Sequence, residues 1–119
     1  MELKATDLRV GNILNYDTSE GDTVTAVIDW QDIKWISEDP KGFNLVHSPI
    51  PLTEEWLVKF GFKCEFKSRI HCIYTFNNLH YYIWYLEAKE YADFKGAEIK
   101  CKFVHKLQNI IHALSGQEL

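Results

Sequence analysis

Three observations predict an α+β fold. Apolar residues alternate at period two in several short runs, two segments carry helix start and stop signals, and clusters of turn-forming residues separate them. The expected architecture is a small, mainly antiparallel sheet with one short central helix and one C-terminal helix. The sheet divides into an N-terminal barrel-like meander and a C-terminal hairpin sheet. A chain of 119 residues is expected to form a single domain over residues 1–119. A hydrophobic fraction of 46% and an aromatic fraction of 14% exclude a disordered chain.

Residues 12–16 read as the first strand, and a turn rich in Asp, Ser, Glu and Gly follows at 17–22. Residues 23–28 are β-branched and strand-like, and 33–36 read as a shorter strand that closes the meander. Pro40, Gly42, Pro49 and Pro51 then mark a loop. Thr53 caps a short helix over 54–60, with Glu54 and Glu55 where the helix dipole favours anions. Gly61 ends it, and Phe62 falls where it faces Leu57 across a Schellman stop.

Alternation resumes at Phe62, Cys64 and Phe66, and again from Ile70 to Phe76. Asn77-Asn78 is expected to make a type I′ hairpin with the run that starts at Leu79. That turn fixes the register. Phe76–Leu79, Tyr74–Tyr81, Cys72–Ile83 and Ile70–Tyr85 share one apolar face, which is expected to be core. Thr75–His80, Ile73–Tyr82 and His71–Trp84 share a mixed face. Residues 87–96 read as a loop of mixed charge, and Ile99, Cys101 and Phe103 as a last strand. The final helix runs over 104–115, with Val104, Leu107, Ile111 and Leu114 as its apolar stripe and Gly116 as its stop. It is expected to pack over the hairpin sheet.

The three cysteines show no CxxC spacing and lie in alternating apolar runs, as reduced, buried thiols do. His105 and His112 are separated by a helix rise of roughly 10 Å, too far to share one zinc. His71 and His80 lie roughly 13 Å apart along one hairpin face. No metal or other cofactor is therefore expected. No GxSxG, P-loop, GxGxxG or HExxH pattern occurs, and His71 and Cys72 point to opposite faces of a strand. The chain is read as non-enzymatic. Its polar N-terminal segment and the absence of any apolar run of ~20 residues point to a cytoplasmic protein.

Charge is unevenly spread. The formal net charge is −4, with −7 in residues 1–58 and +3 in residues 59–119. The acidic stretch that includes Asp17, Asp22, Asp29 and Asp32 carries Trp30 and Trp35, and it suits a basic partner protein. Tyr82 and Trp84 on the mixed hairpin face are residue types that dominate protein interfaces. An alternative reading uses Lys100, Lys102 and Lys106, in a lysine-rich stretch that begins at Lys95, with Tyr82 and Trp84. Charge for phosphate and rings for bases would make a single-stranded RNA or DNA platform.

The segments TDLRVGNIL, PIPLTEEWLVKFGF and VHKLQNIIHALSGQEL, in that order, resemble a group of short uncharacterised proteins of bacterial phages and prophages. The resemblance brings no catalytic residue. What it implies is an accessory protein that binds a host protein, on the pattern of inhibitors of host defence nucleases or nucleoproteins, anti-CRISPR proteins among them.

Overall fold

The computed structural model describes residues 2–115. Among these residues, eight strands and four α-helices make an α+β fold with two antiparallel sheets. The chain divides into two compact units. One is Met1–Pro51 with Phe103–Leu119, and the other is Leu52–Lys102. No helix among the described residues is long and apolar enough to cross a membrane.

In the first unit a short 3-10 turn, Ala5–Asp7, leads into a hairpin of β1 (Ile13–Asp17) and β2 (Thr23–Val27). Two helices follow, α1 (Trp30–Glu38) and α2 (Pro40–Val46). The two-residue β3 (His47–Ser48) then pairs on the other side of β1, giving the order β2-β1-β3. The sheet ends at β2 and β3, so the expected barrel does not close.

The segment 33–36, expected as a strand, lies inside α1. Trp30, Ile33 and Ile36 recur every three residues, a helical period, and Asp29 caps the helix. The expected loop around Pro40 and Gly42 is α2. Pro40 occupies the first helical turn, where a missing N–H costs nothing, and the Asp39 carboxylate accepts from the Gly42 N–H at 3.1 Å. Leu3, Leu14, Ile28, Ile36 and Phe43 form the buried cluster, flanked by Ala5, Leu8 and Ile33.

The last helix, α4 (Val104–Ser115), has the expected bounds and belongs to this first unit rather than to the hairpin sheet. Its side-chain amides explain the placement. Gln108 accepts from the Ile13 N–H at 2.8 Å and donates to the Gly11 carbonyl at 3.1 Å. Asn109 donates to the Asp7 carbonyl at 2.9 Å and accepts from the Asn12 amide at 2.8 Å. A search for apolar period alone cannot find such bonds. Val104, Leu107 and Ile111 are buried as expected, but Leu114 is 41% exposed, because the stripe runs out at the last turn. The Gly116 stop lies outside the described residues.

The second unit opens with α3 (Glu54–Lys59), capped by Thr53 and closed as the sequence predicts. The Phe62 N–H donates to the Leu57 carbonyl at 2.9 Å, the Gly61 N–H donates to Val58 at 3.0 Å, and Gly61 has φ +95°. A Cβ at Gly61 would meet the Phe76 ring at an ordinary 3.4 Å, so the backbone alone sets the penalty. Gly61→Ala should cost about 1–2 kcal/mol, read as a lower urea midpoint with an unchanged slope.

Five strands follow: β4 (Lys63–Lys67), β5 (His71–Phe76), β6 (Leu79–Trp84), β7 (Lys89–Phe94) and β8 (Ala97–Lys100), paired in that order. Every cross-strand pair predicted from Phe76–Leu79 to His71–Trp84 is present. The turn differs from type I′, since Asn77 has positive φ while Asn78 does not. Cys72, Tyr74, Leu79 and Tyr81 are buried, whereas Ile70 and Tyr85, at the open end of the hairpin, are exposed.

Residues 89–94, expected as loop, form β7. Its charges occupy both faces of the strand, with Lys89 and Asp93 on one and Glu90 on the other, and this masks the period of two. The last strand stops at Lys100. Cys101 is buried, with its carbonyl accepting from the Tyr81 hydroxyl, and Phe103 makes an isolated bridge with Pro51.

Candidate functional site

β2 is the least protected element of the first unit. Its sequence, Thr-Val-Thr-Ala-Val, contains neither charge nor proline, and every residue but Ala26 is exposed. The hydrogen bonds fix which backbone groups face outward. Ile28 donates to Asn12 and Thr18 donates to Asp22, each at 2.8 Å, so even-numbered residues of β2 bond to β1. Thr23, Thr25 and Val27 therefore turn their N–H and C=O groups away from the sheet. Among the described residues no strand pairs with that side. Edges of this kind are usually blunted by lysine, proline or a bulge. β2 has none of them.

Carboxylates bracket the strand. At the hairpin end, Asp17 accepts from the Thr23 hydroxyl at 2.8 Å, and Glu20 and Asp22 lie in the exposed turn. Beyond Val27, Asp29 and Asp32 form a reciprocal capping box, each accepting the other's backbone N–H at 3.0 Å. Each spends one oxygen on the cap. Val27 and Trp30 at this end are 65% and 66% exposed. The four predicted contacts Asp17, Asp22, Asp29 and Asp32 thus fall along one strand and its two ends. Trp35 is less exposed, at 37%, and lies edge-on to Phe43 and His47 with ring centroids 5.4 Å away.

Tyr82 and Trp84 lie in the second unit, on the outer face of its sheet. Trp84 stacks on His71 at 4.3 Å, His71 meets Phe66 at 5.0 Å, and Tyr82 stacks on Tyr91 at 5.2 Å. Lys100 stands opposite Tyr91, and the Lys89 ammonium lies 5.1 Å from that ring. Lysines 89, 100 and 102 share a groove of about 540 Å³ with Glu87, Glu90 and Glu98. Lys89 and Glu98 are 3.9 Å apart, so the groove is balanced in charge rather than basic. Lys106 sits on α4 in the first unit, which divides the expected lysine cluster between the two units.

One constellation escaped the sequence reading. Glu54 Oε1 accepts from Tyr74 at 2.8 Å, Lys67 at 3.2 Å, Tyr85 at 3.3 Å and the Cys72 thiol at 3.6 Å. Burial opposes the charge of Glu54, but its hydrogen bonds with Tyr74 and Lys67 outweigh that and hold the carboxyl below its ordinary value of 4.5. Burial pushes the Cys72 thiol up, away from a nucleophilic thiolate. The Tyr74 and Tyr85 hydroxyls are pushed up as well, by burial and by the Cys72 hydrogen bond respectively. The group pins α3 to β5.

Glu54→Gln should lower stability by about 1–2 kcal/mol at pH 7, because the charge-assisted bonds are lost. Since its folded pKa is depressed, the contribution of Glu54 is complete above 4.5 and fades as pH falls through the folded value. Denaturant midpoints of the two proteins should converge in acid. The predicted hairpin register already placed Cys72, Tyr74 and Tyr85 on one face; what the sequence lacked was the position of Glu54 over it.

Among the described residues no three His, Cys, Asp or Glu side chains are arranged to hold a metal ion. Compared with models of protein families, with curated proteins and with solved structures, the chain matches none.

Proposed function

We propose that the protein is a non-catalytic binding module that takes up an extended, basic segment of a partner protein along the outer side of β2. The observation that carries this reading is the uncharged strand edge with three residues of outward backbone and carboxylates at both ends. Strand addition supplies affinity through main-chain bonds, and flanking charge supplies selectivity. The first unit carries ten acids against five bases, a net charge of −5, which favours cationic segments. Proteins that handle nucleic acid are rich in such segments. The proposal therefore extends to a phage-type accessory protein acting on a host defence nuclease or nucleoprotein, as an anti-CRISPR inhibitor does.

A labelled peptide of alternating Val and Thr flanked by lysines tests the chemistry by fluorescence anisotropy. It should bind, its glutamate-flanked counterpart should not, and affinity should fall between ~50 and ~300 mM salt as the charges are screened. Equal binding of both peptides would contradict the electrostatic part of the proposal.

The stacked rings on the outer sheet face favour a second reading, a single-stranded nucleic-acid platform. Glu65, Asp93 and Glu98 share that face with the lysines, which weakens phosphate binding. A labelled oligonucleotide at ~50 mM salt separates the readings, because phosphate contacts are strongest there. Retention of the oligonucleotide, lost on changing Lys100 and Lys102 to Glu, would favour the platform.

A further inference from the structure

The five-stranded sheet has two edges, and they are built differently. β4 carries Lys63, Glu65 and Lys67 and has a register shift between Cys64 and Phe66, the usual protections against pairing. β8 also carries charges and is only four residues long, but it has neither bulge nor proline; Ala97, Glu98 and Lys100 are exposed. Beyond them the Leu52 N–H donates to the Lys102 carbonyl at 2.8 Å, so the open edge is confined to these residues.

The phase of β8 follows from its hairpin. Lys95 and Gly96 both have positive φ, +52° and +88°, which makes a two-residue turn with Phe94 and Ala97 as the bonded pair. Bonded pairs alternate, so Ala92–Ile99 is the next. Ala97 and Ile99 therefore bond inward to β7, while Glu98 and Lys100 present N–H and C=O outward.

An antiparallel pairing of two such edges about a two-fold axis must match outward residues with outward residues. Centring the axis on residue 98 opposes two glutamates, and centring it on residue 100 opposes two lysines. Centring it on Ile99 sets Glu98 against Lys100 twice, with each of these pairs exchanging two backbone bonds. Like charges directly opposite are unfavourable and opposite charges favourable, so one register is selected.

We infer that β8 pairs with β8 of a second copy of this chain in that register, making a continuous ten-stranded sheet. The interface is isologous and closes at two copies. Charge complementarity of the strand with itself chooses the occupant, because a strand of one charge sign would oppose either Glu98 or Lys100. The Lys89 ammonium, 3.9 Å from Glu98, would then share that carboxylate with Lys100 of the second copy.

Sedimentation velocity over a concentration series of the full chain tests this. The wild type should dimerise, and Lys100→Glu should weaken dimerisation at least about tenfold by opposing like charges across the axis. This substitution leaves the Lys89–Glu98 pair in place, and far-ultraviolet circular dichroism reports whether the fold is kept. Adding Glu98→Lys to Lys100→Glu exchanges the two charges and should restore the dimer. A wild type that stays monomeric at the highest concentration reached would overturn the inference. So would a dimer indifferent to Lys100→Glu, or one not restored by the exchange.

Discussion

Replacing His105 by leucine should make the protein more stable at neutral pH and flatten its loss of stability in mild acid. His105 is fully buried on α4, and neither ring nitrogen has a hydrogen-bond partner among the described residues. Burial, reinforced by the Lys106 charge and opposed by that of Asp7, lowers its pKa from 6.5 to about 4. As pH falls below 6.5 the unfolded chain takes up a proton that the folded chain refuses until about 4. Stability is therefore complete above the upper value and lost towards the lower one, by about 3 kcal/mol in all. Most of this window lies above that of Glu54, which opens only below 4.5. Leucine has no polar atom to strand, which adds about 1–2 kcal/mol at pH 7. Urea midpoints at pH 7 and pH 5 check both effects. A variant less stable at pH 7 with the same acid loss would mean that the imidazole has a partner.

Thr25→Pro should weaken capture of the lysine-flanked peptide while leaving the hairpin folded. Thr25 is an odd-numbered residue of β2, so its N–H points away from β1 and proline removes no bond within the sheet. The ring takes the central donor from the outward side and obstructs an incoming strand. Affinity should fall by at least about tenfold, the worth of one lost bond together with its stranded partner. Val24→Pro is the contrast. Val24 bonds to Tyr16, so proline there should destabilise the first unit itself. Equal effects of the two variants on folding would mean that the phase of β2 is misassigned.

The parts legible in the sequence were those with local punctuation. Thr53 and Gly61 fixed both ends of α3, and Asn77-Asn78 fixed six cross-strand pairs from a single turn. Punctuation was also present at Asp29 and Pro40, but β-branched Ile33 and Ile36 and a cluster of loop-forming residues masked the helical period. Neither the bonding of α4 to the chain around Asn12 nor the convergence on Glu54 leaves a periodic trace. Each is made by single polar side chains reaching residues distant in sequence. The acidic residues stood out by composition. Their relation to an open strand did not, because it depends on which backbone groups of β2 face outward, and only the pairing with β1 decides that.

Amide hydrogen exchange of the free protein and of its complex with the lysine-flanked peptide tests strand addition most directly. Thr23, Thr25 and Val27 should exchange fast in the free protein and become protected in the complex, while Val24 and Ala26 are protected in both. Binding that leaves the three odd-numbered amides as exchangeable as before would contradict it.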